Sequence, residues 1–329
     1  MKNNKPYKNK NLTKNLNRKS KKHKEGKKQK KRNPKNILLG FLHIAYKISK
    51  KSLPLYSNKY SPQTFTRPQV MACLLLREYL KLDLRSLEDL IKSNPLFTKA
   101  LELDQVPDYS TFCRHISRVS QEEVDKLAVS TLKQLPSNIK EELAAIDSTG
   151  MSGSNASLYY VSKTKKRLKG FIKLSCVAAM GSSMILASKA HLYPGPNDRM
   201  DFLELTAKAK NRIAFNTIVA DKGYDGEMVH IKSRLLCRVK AIIPTIVPGK
   251  RVKGGHFRLQ MANNFPHDIY AKRWKIESIF SALKRRFGGN LKSRSVDAQL
   301  NETMLKTVAY NIRKLAVLFF QNIKRLLLY

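Results

Sequence analysis

Residues 270–287 read YAKRWKIESIFSALKRRF. The stretch follows loop signals at Asn263, Asn264 and Pro266 and predicts one uninterrupted helix. Its apolar residues, Ile276, Ile279, Phe280, Leu283 and Phe287, fall within an arc of about 100°, the stripe of a helix lying on a core. With Tyr270 set at zero, Arg273, Glu277 and Lys284 fall at about −60°, −20° and −40°. One tyrosine, two cations and one carboxylate therefore share a narrow face beside the buried stripe. A lone Glu277 reads as half of a surface ion pair. On this face, flanked by phosphate-seeking groups, it reads as a metal ligand working beside a nucleic-acid backbone.

Outward from that helix, the chain has 329 residues, 64 Lys or Arg against 24 Asp or Glu, and a formal charge of +40. Charge of this size and sign points to a polyanionic partner, nucleic acid before a membrane surface. No apolar run reaches the roughly 18 residues of a membrane span, and no apolar segment follows the polar, lysine-rich start, so a cytoplasmic protein is expected. Cys73, Cys113, Cys176 and Cys237 are scattered, with no C-x2-C pair, which argues against a zinc site or a disulfide framework.

Residues 1–36 hold 16 Lys or Arg and one acid, Glu25. Such a segment buries too little to order itself, and it is expected to be a disordered basic tail that tethers phosphates. Residues 37–140 read as a string of helices: an amphipathic helix over 37–50, then starts at Thr66 with Pro68, at Ser86 with Asp89, at Ser110 or Thr111, and a capping box at Ser120 with Glu123. The string suits a small all-α DNA-binding domain, and on spacing alone it equally suits a bundle with no DNA role.

From residue 141 the period shortens. ELAAID ends at Asp147; SLYYVS (157–162) alternates; FIKLSCVAA (171–179) and MILASKAHLY (184–193) flank a turn at 181–183. A helix over 201–212 precedes the apolar run NTIVAD, ending at Asp221 with Gly223 for the turn. Asp225 then caps a helix, and KAIIP makes another strand. Residues 248–265 form a basic loop, and 299–326 a long packing helix. The order fits a ribonuclease H-like α/β core over 141–329: a mixed sheet flanked by helices, with its first and fourth strands side by side. That arrangement brings Asp147 and Asp221 together. A carboxylate ending an apolar strand is costly unless it is paired or binds metal, although either acid alone also reads as a turn residue.

The spacing Y-x2-R-x3-E-x6-K at Tyr270, Arg273, Glu277 and Lys284, with D-K-G-Y at 221–224, resembles insertion-sequence DDE transposases of the ribonuclease H-like superfamily, over roughly residues 66–325. The V-P-D-x-S-T turn at 106–111 fits the same group. The resemblance implies catalytic, metal-binding carboxylates at Asp147, Asp221 and Glu277, and contacts to the DNA end from Tyr270, Arg273 and Lys284. It implies two Mg²⁺ or Mn²⁺ ions, double-stranded DNA as partner, and a homodimer in the DNA complex. The activity implied is cleavage at element ends and joining of the 3′-OH to target DNA. A catalytically silent DNA-binding derivative and a structure-specific nuclease of the same fold remain alternatives.

Overall fold

The computed structural model describes residues 34–60, 62–136, 139, 141–153, 171–193, 198–246 and 255–326. Residues 1–33 of the expected basic tail, the alternating SLYYVS segment, residues 163–169 and residues 247–254 lie outside the described residues, whereas residues 34–36, expected in the tail, are helical. Residues from Asn36 onward form one contact-rich unit.

Six helices come first: α1 (Pro34–Ser52), α2 (Arg67–Leu80), α3 (Leu84–Lys92), α4 (Pro95–Ala100), α5 (Tyr109–Arg118) and α6 (Gln121–Leu132). Their starts follow side-chain capping chemistry. Thr66 with Gln69 and Ser120 with Glu123 form reciprocal capping boxes, as their spacing predicts. Two starts differ from the sequence reading. Asp83, not Ser86, caps α3, because its carboxylate reaches the N–H groups of both Arg85 and Ser86. Asp108, not Ser110 or Thr111, caps α5 for the same reason.

The sheet follows, with β1 (Leu143–Met151), β2 (Ile172–Ala179), β3 (Ile185–Leu192), helix α7 (Asp198–Arg212), β4 (Thr217–Val219), a 3₁₀ turn (Lys222–Tyr224), α8 (Glu227–Cys237) and β5 (Lys240–Ile242). Strand order is β3-β2-β1-β4-β5, antiparallel through β3, β2 and β1 and parallel through β1, β4 and β5. This is the expected mixed sheet, with the first and fourth strands adjacent. β1 runs four residues past Asp147, because Ser148 to Met151 keep pairing with Ser175 to Ile172. Asp225 does not cap α8; its carboxylate accepts instead from the Ile246 N–H and the Arg258 guanidinium. Part of the expected basic loop is helical, as α9 (His256–Asn263).

The 270–287 stretch is not one helix. α10 (His267–Ala271) ends before a turn at Lys272 and Arg273, and α11 (Trp274–Phe287) begins after it. The N–H groups of Arg273, Lys275 and Ile276 bond three residues back, to Tyr270, Lys272 and Arg273, so the chain tightens there without leaving helical dihedrals at Arg273. The predicted stripe is otherwise as read: Ile276, Ile279, Phe280, Leu283 and Phe287 are all buried. Gly288, at φ +84°, ends α11 in a conformation open mainly to glycine.

α12 (Val296–Leu326) is the central post, packed against α2, α5, α6, α11 and strands β2 and β3. Among the described residues no helix is long and apolar enough to cross a membrane.

Candidate active site

Register brings the first two acids together. Ala145 of β1 pairs with Val219 of β4 in parallel. Asp147 lies two residues beyond the first and Asp221 two beyond the second, so both side chains emerge at one level of the sheet. Asp221 caps the 3₁₀ turn by accepting from the Gly223 N–H at 2.8 Å. A Cβ at Gly223 would meet Asp221 Oδ1 at 3.0 Å, so the D-K-G order allows the chain to wrap closely around the carboxylate.

The third acid arrives on α11. The buried stripe lays this helix against β1, α2 and α12. Just after it, the chain clips onto the end of β1: the Ser152 N–H donates to the Gly289 carbonyl at 2.9 Å, and the Leu291 N–H to the Ser152 carbonyl at 2.8 Å. The helix is thereby held beside the strand that carries Asp147, and Glu277 projects toward it with its side chain 57% exposed.

Arg273 joins the set. One guanidinium nitrogen lies 3.1 Å from Asp147 Oδ2, and another lies 2.5 Å from Glu277 Oε1. Asp147 also accepts from the Ser148 N–H at 2.8 Å. Burial raises the Asp147 carboxyl above the ordinary range; the Ser148 N–H and Arg273 oppose that shift, and Asp221 and Glu277 add to it. Asp221 and Glu277 are thus near enough for their charges to be felt at Asp147. Among the described residues Arg273 is the one cation ion-paired in this set, with Asp147 and Glu277, so three acids there meet one such cation.

Tyr270 borders the same space. Its ring packs edge-on against Phe265, and the Arg273 guanidinium sits 5.9 Å from its centroid. Burial raises its hydroxyl pKa, with Asp221 and Asp147 adding to the rise and Arg273 opposing it. Lys284 stands two helical turns along α11, its stem beside Gly289, and among the described residues it forms no hydrogen bond or ion pair. The spacing therefore brings Tyr270, Arg273 and Glu277 to one place and leaves Lys284 farther along the same helix. Helical spacing gave Arg273 a phosphate-facing role; its two carboxylate partners depend on β1, which no helical wheel contains. Lys275 points away from this set, donating to the Met180 carbonyl at 2.9 Å.

All three candidate ligands are carboxylates, the donor set of hard divalent cations and not of zinc. Among the described residues no three His, Cys, Asp or Glu side chains stand close enough to hold a metal as they are. The position between Asp147 and Glu277 is taken by Arg273.

No curated protein sequence matches the chain. Among solved structures, the cryo-EM structure of a piggyBac transposase synaptic complex with hairpin DNA aligns at 11% identity, covering 86% of this chain and 72% of that one. The TM-score of that alignment is 0.42. A family model described as the transposase DDE domain matches residues 138–312, more than half of the chain and the whole of the sheet with α11. The chain thus belongs to the DDE-domain transposase family.

Proposed function

We propose that this transposase cuts DNA at the ends of a mobile element and joins the freed 3′-hydroxyl to target DNA, on a ribonuclease H-like core over residues 141–329. The observation that supports this reading is that Arg273 bridges Asp147 and Glu277, with Asp221 near enough to raise the Asp147 carboxyl. An all-carboxylate set with a deficit of positive charge fits Mg²⁺ or Mn²⁺, once Arg273 turns away. Asp147, Asp221 and Glu277 would hold the ions. When bound, such ions supply charge stabilisation at the oxygens of the phosphodiester being broken and formed.

The rest of the work falls to the chain. Arg273, released from the acids, presents a planar fork to a phosphate, and Lys284 adds a point charge farther along the strand. Tyr270 donates its hydroxyl to a phosphate or stacks on a displaced base. The basic N-terminal segments hold the duplex, and a homodimer brings two ends together.

The test is plasmid nicking and strand transfer with Mg²⁺. Asp147→Ala, Asp221→Ala and Glu277→Ala each lose about 10³-fold or more in cutting, since each removes several kcal/mol of transition-state stabilisation, while duplex binding stays within about threefold. Normal cutting by any one of them overturns the assignment. An intact protein that binds element ends without cutting in Mg²⁺ or Mn²⁺ points instead to the silent derivative.

A further inference from the structure

A second polar concavity lies outside the family match, in the helical segment. The loop before α2 and one face of α5 enclose a cavity of about 470 Å³, lined by Tyr56, Phe65, Arg67, Arg114, His115 and Arg118 among others. That size is within the roughly 300–1,000 Å³ of small-molecule sites. The sequence builds it directly. On α5, Arg114, His115 and Arg118 recur at helical spacing on one face, while Phe112 and Ile116 point into the core.

Three observations give the cavity its chemistry. Arg67 is neutralised by Glu123 at 2.5 Å, but among the described residues no carboxylate pairs with Arg114 or Arg118; Arg114 reaches only Thr111 Oγ1, at 3.4 Å. Two guanidinium groups therefore face an open cavity with their charge unmatched. His115 Nε2 is sealed from solvent with no hydrogen-bond partner among the described residues, which is costly unless something else supplies one. Burial, and then Arg67, hold the His115 imidazole down to about 4, so at neutral pH it adds a flat ring and no charge. The half-buried rings of Tyr56 and Phe65 contribute aromatic faces to the wall, among smaller residues such as Pro62 and Thr64.

Unmatched guanidinium groups call for phosphate, and aromatic rings with a neutral imidazole call for a flat heterocycle. A duplex backbone alone presents only phosphates and needs no cavity. From this combination we infer that the cavity between α5 and the loop before α2 binds a nucleoside phosphate, with Arg114 and Arg118 on the phosphate and the Tyr56, Phe65 and His115 rings around the base. The source is either a free nucleotide or a single unpaired nucleotide at a DNA end; only the second rests on the transposase reading.

Titration calorimetry of the full chain tests this without divalent ions, in an Asp147→Ala background, so that failure of the catalytic assignment does not affect the result. The probes are dAMP, inorganic phosphate, a blunt duplex and the same duplex with a one-nucleotide 5′-phosphorylated overhang. The expected result is saturable dAMP binding, tighter than that of phosphate. Arg114→Gln/Arg118→Gln should weaken it by at least about tenfold, the effect of losing charge-assisted hydrogen bonds. A charge-matched Lys99→Gln/Lys232→Gln control, at two exposed lysines, should leave it unchanged. An overhang preference that disappears in the arginine variant assigns the site to a DNA end; dAMP binding with no overhang preference assigns it to a free nucleotide. Absence of saturable dAMP binding, phosphate binding as tight as dAMP, or equal loss in the lysine control overturns the inference. Circular dichroism of the arginine variant checks that it folds.

Discussion

Two clusters of charge in this protein are built from similar parts and end differently. At the sheet edge, Asp147, Asp221 and Glu277 gather around Arg273. Deep between α2 and α12, Glu78 and Glu302 gather around Arg77 and Lys306, all with side chains at most 4% exposed. The buried cluster closes on itself. Its formal charges cancel, Arg77 reaches both acids, and Glu302 also accepts from the N–H groups of Lys292 and Ser293. Lys306 spends its remaining donors on the Gly288 and Asn290 carbonyls. Among the described residues only Arg77 Nε of the quartet's nitrogens is left without a hydrogen-bond partner; the cluster fastens the loop after α11 to the central post and ties α2 to it. The edge cluster is left open, with three carboxylates against one close cation and Glu277 largely in solvent. Burial forces charge to be matched within the protein. Partial exposure lets a mismatch persist, and a persisting mismatch is what a cation-dependent site requires.

The sharpest way to break this comparison is to remove one acid from each cluster and measure both activity and stability. The triad substitutions remove about 10³-fold or more of cutting, and Glu277→Ala should leave the unfolding free energy within about 1 kcal/mol, as for exposed ion pairs. Glu302→Ala should do the reverse to stability, costing about 3–5 kcal/mol in urea denaturation, because Arg77 and Lys306 are left buried without their shared partner. Equal stability losses from Glu277→Ala and Glu302→Ala would erase the distinction.

A smaller effect separates the two acids inside the buried cluster. Burial pushes the Glu78 carboxyl up to about 7, against the pull of Arg77. Burial pushes Glu302 upward too, but Arg77, Lys306 and the Lys292 N–H outweigh it and hold this carboxyl down to about 2. Glu78 thus binds its proton more tightly folded than unfolded. Its contribution is present below the ordinary carboxyl value and is lost as pH rises through about 7. Glu302 has the opposite sign: its contribution is present above the ordinary value and is lost as pH falls toward 2. Between about pH 5 and 8 the parent protein should lose about 2–3 kcal/mol relative to Glu78→Gln, read from urea curves across pH. A pH-independent difference would mean that Glu78 stays ionised.

The smallest effect belongs to Lys284, the cation on α11 outside both clusters. Lys284→Gln should weaken DNA binding a few-fold at all sequences and reduce the slope of log affinity against log salt by about one. An unchanged slope would remove it from the phosphate contacts.

Much of this was legible in the linear chain. The stripe from Ile276 to Phe287 is buried as its spacing predicts, and the capping boxes at Thr66 and Ser120 form as written, because helical periodicity and caps are local properties. The strand order was also readable, since apolar runs separated by a helix leave few ways to pair. The break at Lys272 and Arg273 was not readable: the helical wheel assumes one axis, and three-residue hydrogen bonds replace it there. Nor was the true extent of β1, which depends on pairing with β2 residues some 25 positions away. The buried quartet escaped notice because Glu302 and Lys306 look like an ordinary i,i+4 surface pair until Arg77, 225 residues earlier, is packed against them.

By itself, then, the sequence determined which residue types were available and the local rhythm that turned them into helices and strands, down to the acid, arginine and tyrosine spacing of the 270–287 stretch. Only the tertiary structure decided which acids share a cation, and whether that cation sits in solvent or in the core. Charge interactions depend on distance and on burial, and both are set by contacts between residues far apart in the chain.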